Sequence, residues 1–315
     1  MLKLFNIIFF TLLVNFQSVY ADQRGQPLNC QYTTNPYSLY QHTYEVDEFI
    51  IFYNLTGSNA IVNQEDINNN AIPDIVEDIM LQLVTMRQAL DYLGFEHPFK
   101  RPRFQTVNVD KIHVRITDIK NNGLAFDEAH RVKNTDECVL LISLSNRLVS
   151  GNVTPAHELF HLYQYGYTMF KQRWFTEGTA RWSQDILEKN TEYPITPLPQ
   201  TQEEKQTFFS KSYDAYGVWN NFIHQIDPKG DVSFPESLME KRYLSGEPVV
   251  NDSRLHGVEF VIKTFEKLDK LDNQISENEG LFAFFWDEAY QRSPIHNKIM
   301  WEKIINIFYV QNIID

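Results

Sequence analysis

The sequence is poor in cysteine. It has two, Cys30 and Cys138, and no Cys-x-x-Cys pair. A zinc site made of thiolates is therefore excluded, because such sites need closely spaced cysteines. If the chain is exported to an oxidising compartment, the two cysteines favour one disulfide bond, and two free buried thiols are the alternative.

Positive charge is also scarce. The chain has 28 Lys and Arg residues against 41 Asp and Glu residues, which gives a formal net charge of −13. A chain this acidic is repelled by phosphate backbones, so nucleic acid is not expected among its partners. The acidity suits calcium binding, although solubility alone would also explain it.

Long apolar runs are missing after the N-terminus. The N-terminal run extends from Ile7 to Val14, follows Lys3 and precedes the small residue Ala21. It is shorter than the roughly 20 apolar residues of a spanning helix. We predict a signal peptide over residues 1–21, export to the periplasm or the medium, and no membrane anchor after cleavage. An uncleaved anchor is the alternative.

Residues 22–150 alternate between strand and helix patterns. Residues 48–55, 111–117 and 137–144 are rich in β-branched and aromatic side chains and are predicted strands. Pro73 can open a helix that Gly94 ends. We therefore predict a mixed β/α N-terminal lobe over residues 22–150.

After residue 150 the pattern is helical. Thr154 can cap a helix with Pro155 at its first position, and that helix carries residues 156–165. Further helices are predicted at about 176–187, 208–226, 256–268, 280–291 and 298–310. The whole chain is expected to be an α+β protein with a helical C-terminal lobe over residues 151–315.

A metal-binding pattern lies at the junction of these lobes. In His157-Glu-Leu-Phe-His161 the two histidines are four residues apart, so both imidazoles share one helix face and can reach one metal ion. Glu158 follows the first ligand and can reach a water on that metal. Catalytic zinc usually takes a third protein ligand, and Glu177 in Trp174-Phe-Thr-Glu-Gly-Thr-Ala180 is the candidate. A surface glutamate at a helix start is the alternative for Glu177.

These residues resemble the gluzincin zinc metallopeptidases, which include thermolysin-like and aminopeptidase N-like enzymes. The resemblance is specific over about residues 153–185. It implies a zincin-like fold, a Zn²⁺ cofactor, a protein or peptide substrate, the ligands His157, His161 and Glu177, and Glu158 as the general base that activates the zinc-bound water. The interval between His161 and Glu177 is shorter than in those enzymes, and no Gly-x-Met-Glu-Asn segment precedes the motif. This absence favours an endopeptidase, or an exopeptidase with another anchor for the substrate.

A second resemblance extends to roughly residues 48–190. Secreted bacterial proteins assigned as metalloproteases have an Asp-x-Asn-x-Asn-Gly-x-Pro-Asp segment well upstream of the zinc motif. The present chain has Asp66-Ile-Asn-Asn-Asn-Ala-Ile-Pro-Asp74 in that place.

A donor for the reaction's oxyanion should lie downstream of the motif. By analogy with aminopeptidase N-like enzymes, Tyr216 is the first candidate and Tyr213 the second; packing in the helical lobe is the alternative for both. His224 and His256 are weaker candidates. Asp185 could orient a ligand histidine from behind, or lie on the surface.

Residues 66–77 follow the spacing of a calcium-binding EF-hand loop. The expected ligands are the side chains of Asp66, Asn68, Asn70, Asp74 and Glu77 and the backbone carbonyl of Ile72. Ala71 stands where glycine normally makes the sharp turn, which costs strain at positive φ. The alternative is a polar turn whose acidic residues favour the start of the next helix.

The sequence therefore predicts an exported zinc peptidase stabilised by calcium. The rival prediction is a catalytically silent zinc- or calcium-binding protein that acts in adhesion or interaction. A calcium-stabilised binding module with a fortuitous motif is a further alternative. The intact Glu158 argues against a silent site.

Overall fold

Three apolar segments form the centre of a seven-stranded sheet in the computed structural model, which describes residues 30, 32–188, 194–230, 232–251 and 254–314. The predicted signal peptide, residues 1–21, lies outside the described residues. The strands of the chain are β1 (Tyr32–Thr34), β2 (His42–Val46), β3 (Phe49–Tyr53), β4 (Lys111–Thr117), β5 (Gly123–Ala125), β6 (His130–Val132), β7 (Cys138–Ser145), β8 (Val232–Ser233) and β9 (Arg254–Leu255). Strands β8 and β9 form a separate small pair.

The sheet is mixed, with the order β1-β6-β7-β4-β3-β2. Its centre is parallel: Phe49 of β3 lies opposite Ile112 of β4, and Lys111 of β4 lies opposite Val139 of β7. Central parallel strands are covered on both faces, which explains why β3 and β7 are buried at every position. Strand β5 pairs with the end of β7 in the antiparallel direction, beside β6.

Helices cover the sheet and form most of the chain after residue 150. They are α1 (Pro36–Leu39), α2 (Asp74–Leu93), α3 (Pro102–Gln105), α4 (Thr154–Tyr167), α5 (Arg173–Ser183), α6 (Gln202–Phe209), α7 (Tyr216–Ile226), α8 (Glu236–Met239), α9 (Val258–Glu279), α10 (Glu288–Gln291) and α11 (Ile295–Ile314). Short 3-10 turns precede α3, follow α5 and precede α7. The chain is thus a mixed α/β protein with an N-terminal sheet and C-terminal helices.

Most of the predicted elements are present with shifted ends. The predicted segment 208–226 is two helices, because the chain turns between α6 and α7. The predicted helix over 280–291 is wrong: Phe284 has φ +66, and only α10 is helical there. Thr154 is the first residue of α4 and not its cap; its backbone N–H donates to the side chain of Asn152 at 3.0 Å.

Buried aromatic rings fix the helices relative to one another. Phe160 of α4 packs at 6.0 Å from Trp182 of α5 and at 5.8 Å from Phe265 of α9. Ring packing of this kind holds α4 and α5 side by side, which determines where their polar side chains meet.

The predicted disulfide bond between Cys30 and Cys138 is confirmed. It joins the start of the described chain to the first residue of β7, across 108 residues of sequence. In the chain-entropy model, a crosslink over about 100 residues stabilises the folded state by roughly 4.7 kcal/mol. Among the described residues, no helix is both long enough and apolar enough to cross a membrane.

Candidate metal centre

The three predicted zinc ligands meet at one point between α4 and α5. His157 Nε2 lies 3.2 Å from Oε2 of Glu177 and 3.0 Å from Nε2 of His161, and His161 Nε2 lies 3.5 Å from Oε2 of Glu177. Ligand atoms of a tetrahedral zinc ion, at about 2.1 Å from the metal, lie roughly 3.4 Å from one another. The spacing and the chemistry of this donor set therefore fit a zinc ion.

The local sequence explains why these side chains converge. His157 and His161 are one helical turn apart on α4, and Glu177 lies in the second turn of α5. Among the described residues, these three are the single set of histidine, cysteine and acidic side chains whose ligand atoms come this close together. All three side chains are largely buried, so a cation there would be shielded from bulk water.

Two glutamines hold the histidines from behind. The side-chain oxygen of Gln164 lies 2.6 Å from Nδ1 of His161, and the side-chain nitrogen of Gln184 lies 3.0 Å from Nδ1 of His157. Gln164 also donates to the carbonyl of Thr176, so it joins α4 to α5. Neither residue was predicted from the sequence, although Gln164 lies three positions after His161 and therefore on the same helix face.

The candidate general base, Glu158, is buried beside the ligands and against strand β5. An added Cβ on Gly123 would lie only 2.6 Å from Cγ of Glu158, so β5 approaches this side chain as closely as glycine permits. The backbone N–H of Ala125 donates to the carboxylate. Burial raises the pKa of Glu158 to about 7, and the negative charge of Glu177 adds to the effect.

The pKa values of the two glutamates of the site shift in opposite directions. Burial opposes the ionisation of Glu177, but hydrogen bonds from His157 and His161 outweigh it and lower the pKa of Glu177. Burial also lowers the pKa of His157 to about 4, which favours the neutral imidazole that a metal requires. The pKa of His161 is raised, because Glu177 and Glu158 favour its charged form more than burial opposes it.

The downstream candidates are placed differently from the sequence prediction. The hydroxyl of Tyr216 donates to the buried carboxylate of Asp185 at 2.6 Å, so this residue is not at the ligands. The ring of Tyr213 instead lies 5.7 Å from that of His157, and its side chain lines the cleft. Burial raises the pKa of Tyr213 to about 12, together with the charges of Glu177 and Glu158, so its hydroxyl keeps its proton at neutral pH.

The other candidates from the sequence have partners of their own. Asp185 accepts the hydroxyl of Tyr216, and its neighbour Gln184 contacts Nδ1 of His157. The rings of His224 and His256 stack at 4.5 Å, and Nδ1 of His256 hydrogen-bonds the carbonyl of Asp227. Neither of these two histidines lines the cleft.

Two of the candidate ligands, His161 and Glu177, line a cleft of about 380 Å³ together with Glu158, and this volume is within the usual range for ligand sites. One wall is formed by β5 and the residues after it, from Gly123 to Asp127. The other carries Arg173, Glu177 and Tyr213. Among the described strands, β7 is the one that pairs with β5, so a second chain could pair with the other edge of β5.

The predicted calcium ligands form a hydrogen-bonded loop before α2. The side-chain nitrogens of Asn68 and Asn70 donate to the two oxygens of Glu77, at 3.0 and 2.8 Å. Asp66 accepts the backbone N–H groups of residues 70 and 71, and Asp74 accepts that of residue 67. Ala71 has φ +69, so the chain makes the left-handed turn where the motif normally has glycine.

Comparisons with protein-family models, curated proteins and solved structures find no match to this chain.

Proposed function

We propose that this protein is an exported zinc-dependent endopeptidase. The observation that carries the proposal is the placement of a buried glutamate, Glu158, beside a convergent set of two imidazoles and one carboxylate at the floor of an open cleft. Two imidazoles and one carboxylate are a ligand set that zinc prefers, and three protein ligands leave the fourth position of the ion open. A zinc ion bound there would polarise the scissile carbonyl and lower the pKa of the attacking water.

Glu158 would move the proton. A general base works best when its pKa is close to the operating pH, and burial brings the pKa of Glu158 to about 7. Its carboxylate would accept a proton from the attacking water and then donate it to the leaving amine. Contact with Gly123 and the hydrogen bond from Ala125 restrict where that carboxylate can lie.

Tyr213 replaces Tyr216 as the proposed oxyanion donor. Its side chain lies beside His157 on the cleft wall, and 54% of its surface is exposed, so the hydroxyl can reach a bound peptide. Because its pKa is raised to about 12, the tyrosine is protonated at neutral pH and can donate to the developing negative charge.

The shape of the cleft supports an endopeptidase. Among the described residues, no strand pairs with the second edge of β5, so an extended peptide could pair with the short stretch of backbone there, and such pairing does not depend on the peptide's ends. Export is supported by the apolar N-terminal run and by the disulfide bond, since such bonds persist in oxidising compartments.

We also propose that residues 66–77 bind calcium. Asp66, Asn68 and Asn70 of the loop lie close to Glu77 in the first turn of α2, and rotating the two asparagine amides would turn their oxygens towards the oxygens of Glu77. A calcium ion there would join the loop to the first turns of α2 and would contribute stability, not chemistry.

The decisive experiment is Glu158→Gln. The variant should bind one zinc ion per chain, as measured by elemental analysis, and should hydrolyse a casein-type substrate about 10² to 10⁴ times more slowly. Glu240→Gln, an exposed glutamate on the surface, is the matched control and should keep full activity. Full activity of Glu158→Gln would refute the mechanism. Zinc binding without hydrolysis of any peptide by the wild type would support the silent adhesion protein instead.

A further inference from the structure

Three cationic side chains line the cleft of this otherwise acidic protein: Lys171, Arg173 and Arg292. Lys171 is buried and forms ion pairs with Asp127 and, at 2.6 Å, with Glu288. Arg292 pairs with the other oxygen of Glu288. The charges of these two residues are therefore balanced by the carboxylates of Asp127 and Glu288.

Arg173 is different. It is the first residue of α5, and 57% of its side chain is exposed. Its nearest carboxylate among the described residues is that of Glu177, one helical turn later, at 3.7 Å between Nη2 and Oε1. That distance is longer than a hydrogen bond. Its guanidinium also lies 6.0 Å above the ring of Tyr213, at the limit of a cation–π contact.

A bound zinc ion would weaken even this partial neutralisation of the charge of Arg173 by Glu177. Glu177 carries one negative charge, and as a ligand it would share that charge with a divalent cation. Arg173 would then remain as an exposed positive charge beside the metal centre, in a cleft where field lines are concentrated by the surrounding protein. The geometry therefore provides a binding position for an anion of the substrate.

The distance limits where this anion can lie. Oε2 of Glu177 belongs to the candidate ligand set, and Oε1 of the same carboxylate is 3.7 Å from the guanidinium of Arg173. An extended peptide advances about 3.3 Å per residue. A group bound to Arg173 therefore belongs to a residue next to the scissile bond or one position beyond it.

We propose that Arg173 determines the specificity of the proposed peptidase by binding a substrate carboxylate within two residues of the scissile bond. The inference rests on the proposed function. A carboxylate is favoured over other anions because a planar guanidinium forms two parallel hydrogen bonds with it. It can come from an acidic side chain or from the C-terminus of a short peptide.

Matched peptides distinguish these two sources. Quenched peptides that carry Glu or Gln at each position beside the scissile bond test the side chain, and peptides with a free or amidated C-terminus test the terminus. The wild type should hydrolyse the charged member of one pair about tenfold faster, in kcat/KM. Arg173→Gln should reduce this ratio to below about twofold. Arg173→Glu should instead hydrolyse a peptide with Lys at that position faster than the peptide with Glu. Arg292→Gln, at a cleft arginine of similar exposure that is paired with Glu288, is the control and should retain the wild-type ratio.

A binding assay separates this inference from the peptidase proposal. Succinic acid monohydroxamate and its uncharged amide analogue both offer a zinc-binding group, but only the first has a carboxylate. Calorimetry on the zinc-loaded protein should give about tenfold tighter binding of the acid, and Arg173→Gln should abolish the difference. Tighter binding of the acid without any peptide hydrolysis would support the subsite and refute the peptidase. Equal binding of both compounds, or an unchanged preference in Arg173→Gln, would overturn the inference.

Discussion

Replacing Gly178 with alanine should destabilise the protein and weaken its affinity for zinc. An added Cβ would lie 2.5 Å from Cδ1 and 2.6 Å from Nε1 of Trp219, on the neighbouring helix α7. Carbon atoms in contact are normally 3.5–4.0 Å apart, so the indole would have to move by about 1 Å. It has little room, because Trp219 is 1% exposed and its ring packs against Trp174 and Phe222.

The expected cost follows from three contributions. Overpacking of this kind costs about 1–3 kcal/mol. The hydrogen bond from Trp219 to the carbonyl of Trp174, 2.9 Å long, would be lost at about 1 kcal/mol more. Alanine is favoured over glycine within a helix by about 1 kcal/mol, which offsets part of the loss. The free energy of unfolding should therefore fall by roughly 1–3 kcal/mol.

Urea denaturation in the presence of a chelator measures this change without a contribution from zinc. Zinc affinity should fall by about tenfold, because Gly178 adjoins Glu177 and a shift of α5 moves that ligand. A double-mutant cycle with Trp219→Phe isolates the contact: the smaller ring should recover at least 1 kcal/mol of the cost of Gly178→Ala. A Gly178→Ala variant as stable as the wild type would show that the reasoning is wrong.

Three more predictions follow from other parts of the structure. Gly123→Ala should lower kcat by about 10²-fold while zinc content stays unchanged, because the new methyl group would lie 2.7 Å from Oε1 of Glu158; an unaltered kcat would contradict this. Millimolar calcium should raise the Tm of the zinc-loaded wild type but not of Asp66→Ala, and an unchanged wild-type Tm would refute the proposed calcium site. Burial lowers the pKa of both His113 and His130 to about 4, below the value near 6.5 in the unfolded chain. Their contribution to stability is therefore complete above pH 6.5 and declines towards pH 4, by about 3 kcal/mol each. Urea unfolding with chelator at pH 7 and pH 4.5 tests this, since His113→Asn should lose less stability than the wild type, and equal losses would argue against it.

The candidate ligands could be predicted from the sequence because their geometry is local. Two residues four positions apart on a helix must share a face, so His157 and His161 could be predicted as a ligand pair without knowledge of the fold. Glu177 was predicted because catalytic zinc usually takes a third protein ligand and because the segment around it resembles that of the gluzincins. The structure adds a role for the next residue, since Gly178 allows close contact with Trp219 of α7.

The different placement of the two tyrosines has a physical cause. Tyr213 and Tyr216 are three residues apart, and within a continuous helix they would point in similar directions. A 3-10 turn over residues 213–215 separates Tyr213 from α7, so the two side chains diverge. Tyr216 turns inwards to Asp185, whereas Tyr213 faces the cleft. The break lies between α6 and α7, both of which contact α5, and periodicity within one segment does not reveal it.

The sheet shows the same limit on a larger scale. Strands β3, β4 and β7 are apolar enough to be predicted from composition, but their parallel order is decided by the connections that cross between them. Strand β5 has only three residues, Gly123–Ala125, and gives no periodic pattern. Nevertheless β5 covers Glu158, and its Gly123 lies against that side chain. Gly123 is 35 positions before Glu158 in the sequence, and it was not predicted to affect the candidate base.

The separate roles proposed for Glu158 and Glu177 depend on these long-range contacts. Both are glutamates, and both are largely buried. Glu177 accepts hydrogen bonds from two histidines, which favour its charged form and suit a metal ligand. Glu158 meets a glycine and a single backbone N–H, so burial dominates and raises its pKa to about 7. Two carboxylates whose pKa values are pushed apart by their surroundings are typical of a site that divides charge stabilisation from proton transfer. The sequence identifies both glutamates as candidates, and the packing of β5 and α5 around them determines which one can exchange a proton at neutral pH.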